Sequence, residues 1–112
     1  MPNQTTELSR VFYALSDPTR RAVLTRLSDG PASVSELARP FEMALPSFLQ
    51  HLGVLEECGL VRSRKQGRVR TYRPTPRPLA AAEHWIEQRR ALWEQRLDQL
   101  DDYLETLKEE EG

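Results

Sequence analysis

Residues 45–73 read LPSFLQHLGVLEECG followed by LVRSRKQGRVRTYR, and the change of pattern at Gly59 decides the fold. In the first half the apolar residues recur at helical spacing. At 100° per residue Leu45, Phe48, Leu49, Leu52 and Leu55 fall on one side, while Ser47, Gln50, Gly53, Val54 and Glu57 fall on the other. This predicts a helix over about residues 46–58 whose second set faces outward, with Gly59 as its left-handed stop. In the second half two β-prone runs, 60–64 and 69–73, flank Lys65-Gln66-Gly67-Arg68, which predicts a hairpin around a glycine turn. Its tip is basic, and alternation puts Arg68, Arg70 and Tyr72 on one face of the second strand and Val69 and Thr71 on the other.

Upstream, the spacing of Leu8, Val11, Phe12 and Leu15 predicts a first helix over about residues 5–15. Asp17 is placed to cap a second helix that opens with Pro18 and stops at Asp29-Gly30-Pro31. Ser33-Val34-Ser35-Glu36 has the form of a capping box and predicts a short third helix that Pro40 ends. Downstream, Pro74, Pro76 and Pro78 predict a short extended connector into a long helix over about residues 79–107. The order is that of a winged helix-turn-helix: mainly α with a small β-hairpin, four helices, a two-stranded wing and a long C-terminal dimerisation helix. One winged-helix domain is expected over 1–112, with its core at 16–78 and dimerisation helices at 1–15 and 79–108.

A chain of 112 residues allows one small domain at roughly 100 to 200 residues per domain, and its 38% hydrophobic and 29% charged content suits a soluble globular fold. The longest purely aliphatic run, residues 79–82, is far below the roughly 20 residues of a membrane span, so the expected location is cytoplasmic. One cysteine, Cys58, makes no internal disulfide and is too few for a thiolate-rich zinc site; a small buried apolar role is its simplest reading. HExxH, a glycine-rich phosphate cradle and G-x-S-x-G are all absent, so no enzyme and no cofactor are expected. The net charge of −1 hides a strong asymmetry. From Cys58 to Ala82 there is no acid and there are seven cations, Arg62, Arg64, Lys65, Arg68, Arg70, Arg73 and Arg77, whereas residues 94–112 carry eight acids against two cations. Charged strand edges also serve to prevent unwanted pairing. Directly after an outward-facing helix, however, an acid-free run of 25 residues reads better as a nucleic-acid wing.

The stretches at 12–21 (FYALSDPTRR), 35–38 (SELA), 51–56 (HLGVLE), 59–61 (GLV) and 67–72 (GRVRTY) resemble the ArsR family of bacterial winged-helix repressors, over about residues 8–78. The resemblance implies a homodimer that binds double-stranded operator DNA, usually near its own promoter, and leaves on meeting a signal. The family's metal site uses a C-x-C pair at the start of the third helix, where this chain has Ser33 and Ser35, so metal sensing is not expected. A second family site on the last helix would find only Glu83, His84 and Glu87, and one imidazole is thin for a transition metal.

The expected DNA contacts are Ser47, Gln50 and His51 on the fourth helix, with Gln50 as the base reader, and Arg64, Lys65, Arg68 and Arg70 on the wing. Leu8, Val11 and Phe12 of the first helix and Ile86, Trp93, Leu97, Leu100, Leu104 and Leu107 of the last are the expected dimer interface. The second group is spaced 7, 4, 3, 4 and 3, a coiled-coil-like seam that Arg90 interrupts. A competing reading is a protein-interaction module that uses the long last helix and has lost DNA binding.

Overall fold

The computed structural model describes residues 4–111. The dimerisation segment expected at 1–15 therefore begins outside the described residues. In order the elements are α1 (Gln4–Leu15), α2 (Pro18–Leu27), β1 (Ala32–Ser33), α3 (Val34–Ala38), α4 (Leu45–Glu57), β2 (Val61–Gln66), β3 (Val69–Pro74) and α5 (Pro76–Glu111). The fold is mainly helical with a small β-wing and a long C-terminal helix. By contacts the chain divides into a unit ending at Ala82 and a second unit from Glu83 onward.

Local chemistry sets the element boundaries. The Asp17 carboxylate accepts the Arg20 backbone N–H at 3.1 Å and caps α2, with Pro18 in the first turn. Ser33 caps α3 by accepting the Glu36 N–H at 3.2 Å; the Glu36 carboxylate returns to the Ser33 hydroxyl at 3.2 Å. Past α4, Gly59 has φ +81, and the N–H groups of Gly59 and Leu60 donate to Glu56 and Leu55 at 3.0 and 2.9 Å. That is the paired closure of a left-handed helix stop, a conformation a side chain would strain.

Three expectations need correction. The wing is three-stranded at its base, in the order β1-β3-β2, because Ala32 and Ser33 pair with Tyr72 and Thr71. A two-residue strand leaves no alternation to read. The proline-rich connector is a single residue, Thr75, since β3 runs to Pro74 and Pro76 and Pro78 lie in the first turn of α5, where a helix has no use for their missing N–H groups. Val11, expected on a dimer face, is 2% exposed and packs in the core of its own domain.

The core of the first unit gathers Val23 and Leu27 of α2, Leu37 of α3, Phe48, Leu52 and Leu55 of α4, and Leu60, Val61 and Tyr72 around the hairpin. Phe41 of the α3–α4 turn lays its ring 5.4 Å from that of Phe48. In the second unit, residues 83–111 are helical and all exposed. No helix among the described residues is long and apolar enough to cross a membrane.

The orientation of α4 is also narrower than the periodicity implied. Leu45 and Leu49 are 53% and 42% exposed, and Val54, assigned to the outer side, packs partly against the core. Leu52→Ala should therefore cost roughly 2–5 kcal/mol, whereas Leu49→Ala should change stability by no more than about 0.5 kcal/mol. Urea denaturation of the two variants checks this, and equal losses would mean that α4 is rotated from the position described.

Candidate nucleic-acid interface

The α4 helix begins poorly capped and ends firmly. Its first residue follows Ala44, which has no side-chain oxygen to offer, so no side-chain hydrogen bond caps the first turn, which carries Pro46. Ser47 and Gln50 are exposed on this half of the helix, and His51 stands at the flank, half-buried. An open depression of about 410 Å³ runs along the outer face, lined by Gln50, His51, Gly53 and Glu57 together with Tyr13 and Arg20.

His51 is held by a group that sequence reasoning missed. Arg20 is 7% exposed, and its guanidinium donates to the carbonyls of Ala14 at 2.7 Å and Tyr13 at 3.0 Å while lying 5.1 Å from the centre of the Tyr13 ring. A third nitrogen of the same guanidinium lies 3.2 Å from His51 Nδ1. Guanidinium only donates, so whenever the ring is neutral Nδ1 accepts and the ring proton sits on Nε2, away from Arg20. In that form the imidazole has one N–H donor, on Nε2, in addition to the nitrogen that faces Arg20. Asp17 Oδ2 stands 3.6 Å from the same Nδ1, too long for a hydrogen bond, and contributes charge rather than direction. A cation in the first turn of a helix opposes the macrodipole; that local conflict at Arg20 was the available signal.

The opposite flank of α4 faces the wing. Glu56 accepts the Ser63 hydroxyl at 2.7 Å, and Arg70 donates to the same Ser63 oxygen at 2.8 Å. The hairpin closes through the two residues Gly67 and Arg68, with Gly67 at φ +63 in the first loop position, the place a primed turn reserves for glycine. Because Arg68 belongs to the turn, it does not share the strand face of Arg70 and Tyr72, as alternation alone had suggested. Cross-strand pairing puts Lys65 and Arg70 on the face of Ser63 and Tyr72, and Arg62, Arg64 and Arg73 on the other. Arg64, Lys65, Arg68 and Arg70 are all exposed.

Of the residues expected at a dimer interface, Leu8 is half-buried, Phe12 lies at the surface, and Ile86, Trp93, Leu97, Leu100, Leu104 and Leu107 are exposed, Trp93 to 69%. Trp85, Leu92 and Tyr103 are exposed apolar residues of α5 outside the strict seam, and no a/d spacing would have found them. The Glu87 carboxylate accepts from Arg90 at 2.6 Å, and among the described residues no three acidic, histidine or cysteine side chains converge on a metal-sized site. Cys58 is half-buried, and burial pushes its thiol up, away from the reactive thiolate.

The helices α3 and α4 with a basic hairpin beside them define a winged helix-turn-helix regulator, a non-catalytic DNA-binding class. A model for a helix-turn-helix domain matches residues 15–64. The HTH-type transcriptional regulator Rv2034 of Mycobacterium tuberculosis is 46% identical over 72 residues, 64% of this chain and 67% of that protein. The crystal structure of the ArsR family transcriptional regulator RHA00566 superposes with a TM-score of 0.79 at 54% identity, covering 84% of this chain and 97% of that one. The homodimeric winged helix-turn-helix DNA-binding domain of Mb0332 from Mycobacterium bovis, a possible ArsR-family regulator, matches at TM-score 0.62 and 26% identity, covering 79% of this chain and 83% of that one. The chain belongs to the ArsR family, and it is a DNA-binding regulator that lacks metal-sensing cysteines, Cys58 being its one cysteine.

Asp17 joins the cap of α2 to the His51 cluster, and it titrates accordingly. Burial pushes its carboxyl up, but the Arg20 N–H, the neighbouring His51 and the Thr19 N–H outweigh it and hold the group below its ordinary 3.8. A depressed folded value stabilises the protein above the unfolded value, and the contribution is lost as pH falls through the folded one. Asp17→Asn keeps a capping side chain but cannot ionise. Thermal melts from about pH 7 to about pH 2 should show wild type ahead at neutral pH, with the gap closing below the ordinary 3.8. A gap independent of pH would refute the ionic role.

Proposed function

We propose that the protein is a homodimeric, sequence-specific autorepressor that acts in the cytoplasm, occupies operator DNA at its own promoter and does not sense metal. The observation that carries this reading is the exposed N-terminal half of α4 followed by a wing that lies within a 25-residue stretch, 58–82, of seven cations and no acid. In it Gln50 pairs with the N6 and N7 edge of an adenine, Ser47 and His51 make phosphate or less specific base contacts, and Arg64, Lys65, Arg68 and Arg70 take phosphates. If each dimer neutralises roughly six to ten phosphates, affinity falls about 10³- to 10⁵-fold between about 50 and 200 mM salt.

Mobility shift against the upstream DNA, with excess nonspecific competitor, tests the reading. Arg68→Ala should weaken all sequences alike and flatten the salt slope. Gln50→Ala should relax preference at one base pair per half-site, worth roughly 1–3 kcal/mol, and leave nonspecific binding nearly intact. Unchanged preference at every position in Gln50→Ala would assign base reading to another residue.

In this reading the dimer forms through α1 and α5, with Leu8 and Phe12 on the first and the Ile86, Trp93, Leu97, Leu100, Leu104 and Leu107 seam on the second. Support comes from the exposed apolar side chains of residues 83–111, more than a monomer ordinarily leaves in water, and from the homodimeric relative. Leu97→Asp with Leu100→Asp should give a monomer or an unfolded chain in sedimentation, and a double variant that remains a normal dimer would remove the seam from the interface.

A further inference from the structure

The flank of α4 that faces the wing carries two exposed leucines that the fold does not use. Leu45 and Leu49 lie one turn apart, 53% and 42% exposed, while Phe48 and Leu52 of the same helix are completely buried. At 100° per residue they fall on the side of Glu56, which is tied to Ser63 of β2. That sets Leu49 about 100° round the helix from Gln50, on the side of α4 that further along is tied to the wing through Ser63, whose strand face also carries Lys65 and Arg70.

We propose that Leu49 reads the 5-methyl group of a thymine in the major groove, at or next to the base pair read by Gln50, with Leu45 lining the same side. The proposal rests on the DNA-binding reading above and deepens it. The thymine methyl is the one apolar group among the major-groove base-edge features, and aliphatic side chains recognise it by contact. The surroundings select this occupant. The leucines share their side of α4 with the tie to a hairpin rich in cations and stand one position from the Gln50 amide, which suits a methyl set among phosphates and base edges; an apolar protein partner docking along this side would also have to desolvate the charged wing. Position within the helix agrees, because residues of the first two turns are those that reach base edges.

Operator fragments selected from random DNA by the full-length protein supply the probe. Each thymine of a half-site is then replaced singly by uracil, which lacks only the methyl, and binding of wild type and Leu49→Ala is measured. Wild type should lose about fourfold in affinity at one thymine per half-site, the value of one buried methyl. Leu49→Ala should bind the thymine and uracil duplexes equally, while its salt slope and melting temperature stay those of wild type. Wild-type binding indifferent to every uracil, or Leu49→Ala as sensitive as wild type, overturns the Leu49 assignment and leaves DNA binding standing. Recovery of no preferred sequence overturns the sequence-specific reading itself and this proposal with it.

Discussion

The rotation of α4 about its own axis rests on one narrow row of side chains, Phe48, Leu52 and Leu55, each at most 1% exposed. Everything the helix shows to solvent follows from that row. A turn of one residue, 100°, would carry Gln50 off the outer face and bring Leu49 onto it. Losing any one of the three costs roughly 2–5 kcal/mol, a large part of the 5–15 kcal/mol that holds a typical domain together, so alternative rotations are not thermally accessible. The narrowness of the row has a second effect. It leaves both flanks of α4 free to carry polar ties or exposed groups, and the two flanks are used differently.

On one flank the buried Arg20 guanidinium links the end of α1, the start of α2 and His51 of α4. A buried charge costs several kcal/mol unless hydrogen-bonded, and here two carbonyls and an imidazole nitrogen do so. On the other flank Glu56 reaches through Ser63 to Arg70, so a wing cation is referenced to the helix by two hydrogen bonds rather than by hairpin stiffness alone. These exposed bonds add little stability. Their contribution is positional: a hairpin tip set by its own turn can still pivot, and a tie from helix to strand narrows that pivot. Glu56 is also an acid beside the wing, and its satisfaction by Ser63 limits its repulsion of phosphate.

Much of this was legible in residue order because punctuation residues act locally. Asp17-Pro18, Ser33 with Glu36, Gly59 and Gly67 each satisfy or relax backbone groups within a few positions, and each does so in the structure where spacing placed it. What was not legible depends on neighbours distant in sequence. Ala32 and Ser33 become a strand only because Tyr72 and Thr71 come to lie beside them. Pro76 and Pro78 suit an extended segment and a first helical turn equally, and the fold selects the turn. Leu45 and Leu49 fit the apolar side of a helical wheel, yet a wheel does not report how wide the covering surface is. Arg20 gave only a conflict with the helix dipole, and its partners are the carbonyls of another helix.

The missing thiolate pair changes what can govern occupancy. Where a metal site exists, binding free energy can be set against DNA affinity in one protein; Ser33 is here spent on the cap of α3, and Glu36 is shared between that cap and Arg26 at 3.3 Å. In the proposed dimer one lever is assembly. If the operator is held by two wings and two copies of α4, one protomer supplies half the phosphate contacts and half the base contacts, and because the salt-dependent term grows with each phosphate neutralised, the monomer binds far more weakly than the pair. Operator occupancy is then coupled to dimerisation by mass action. Over the concentrations at which the seam of α5 is incompletely filled, occupancy rises more steeply than protein concentration, which is the response by which an autorepressor holds its own level.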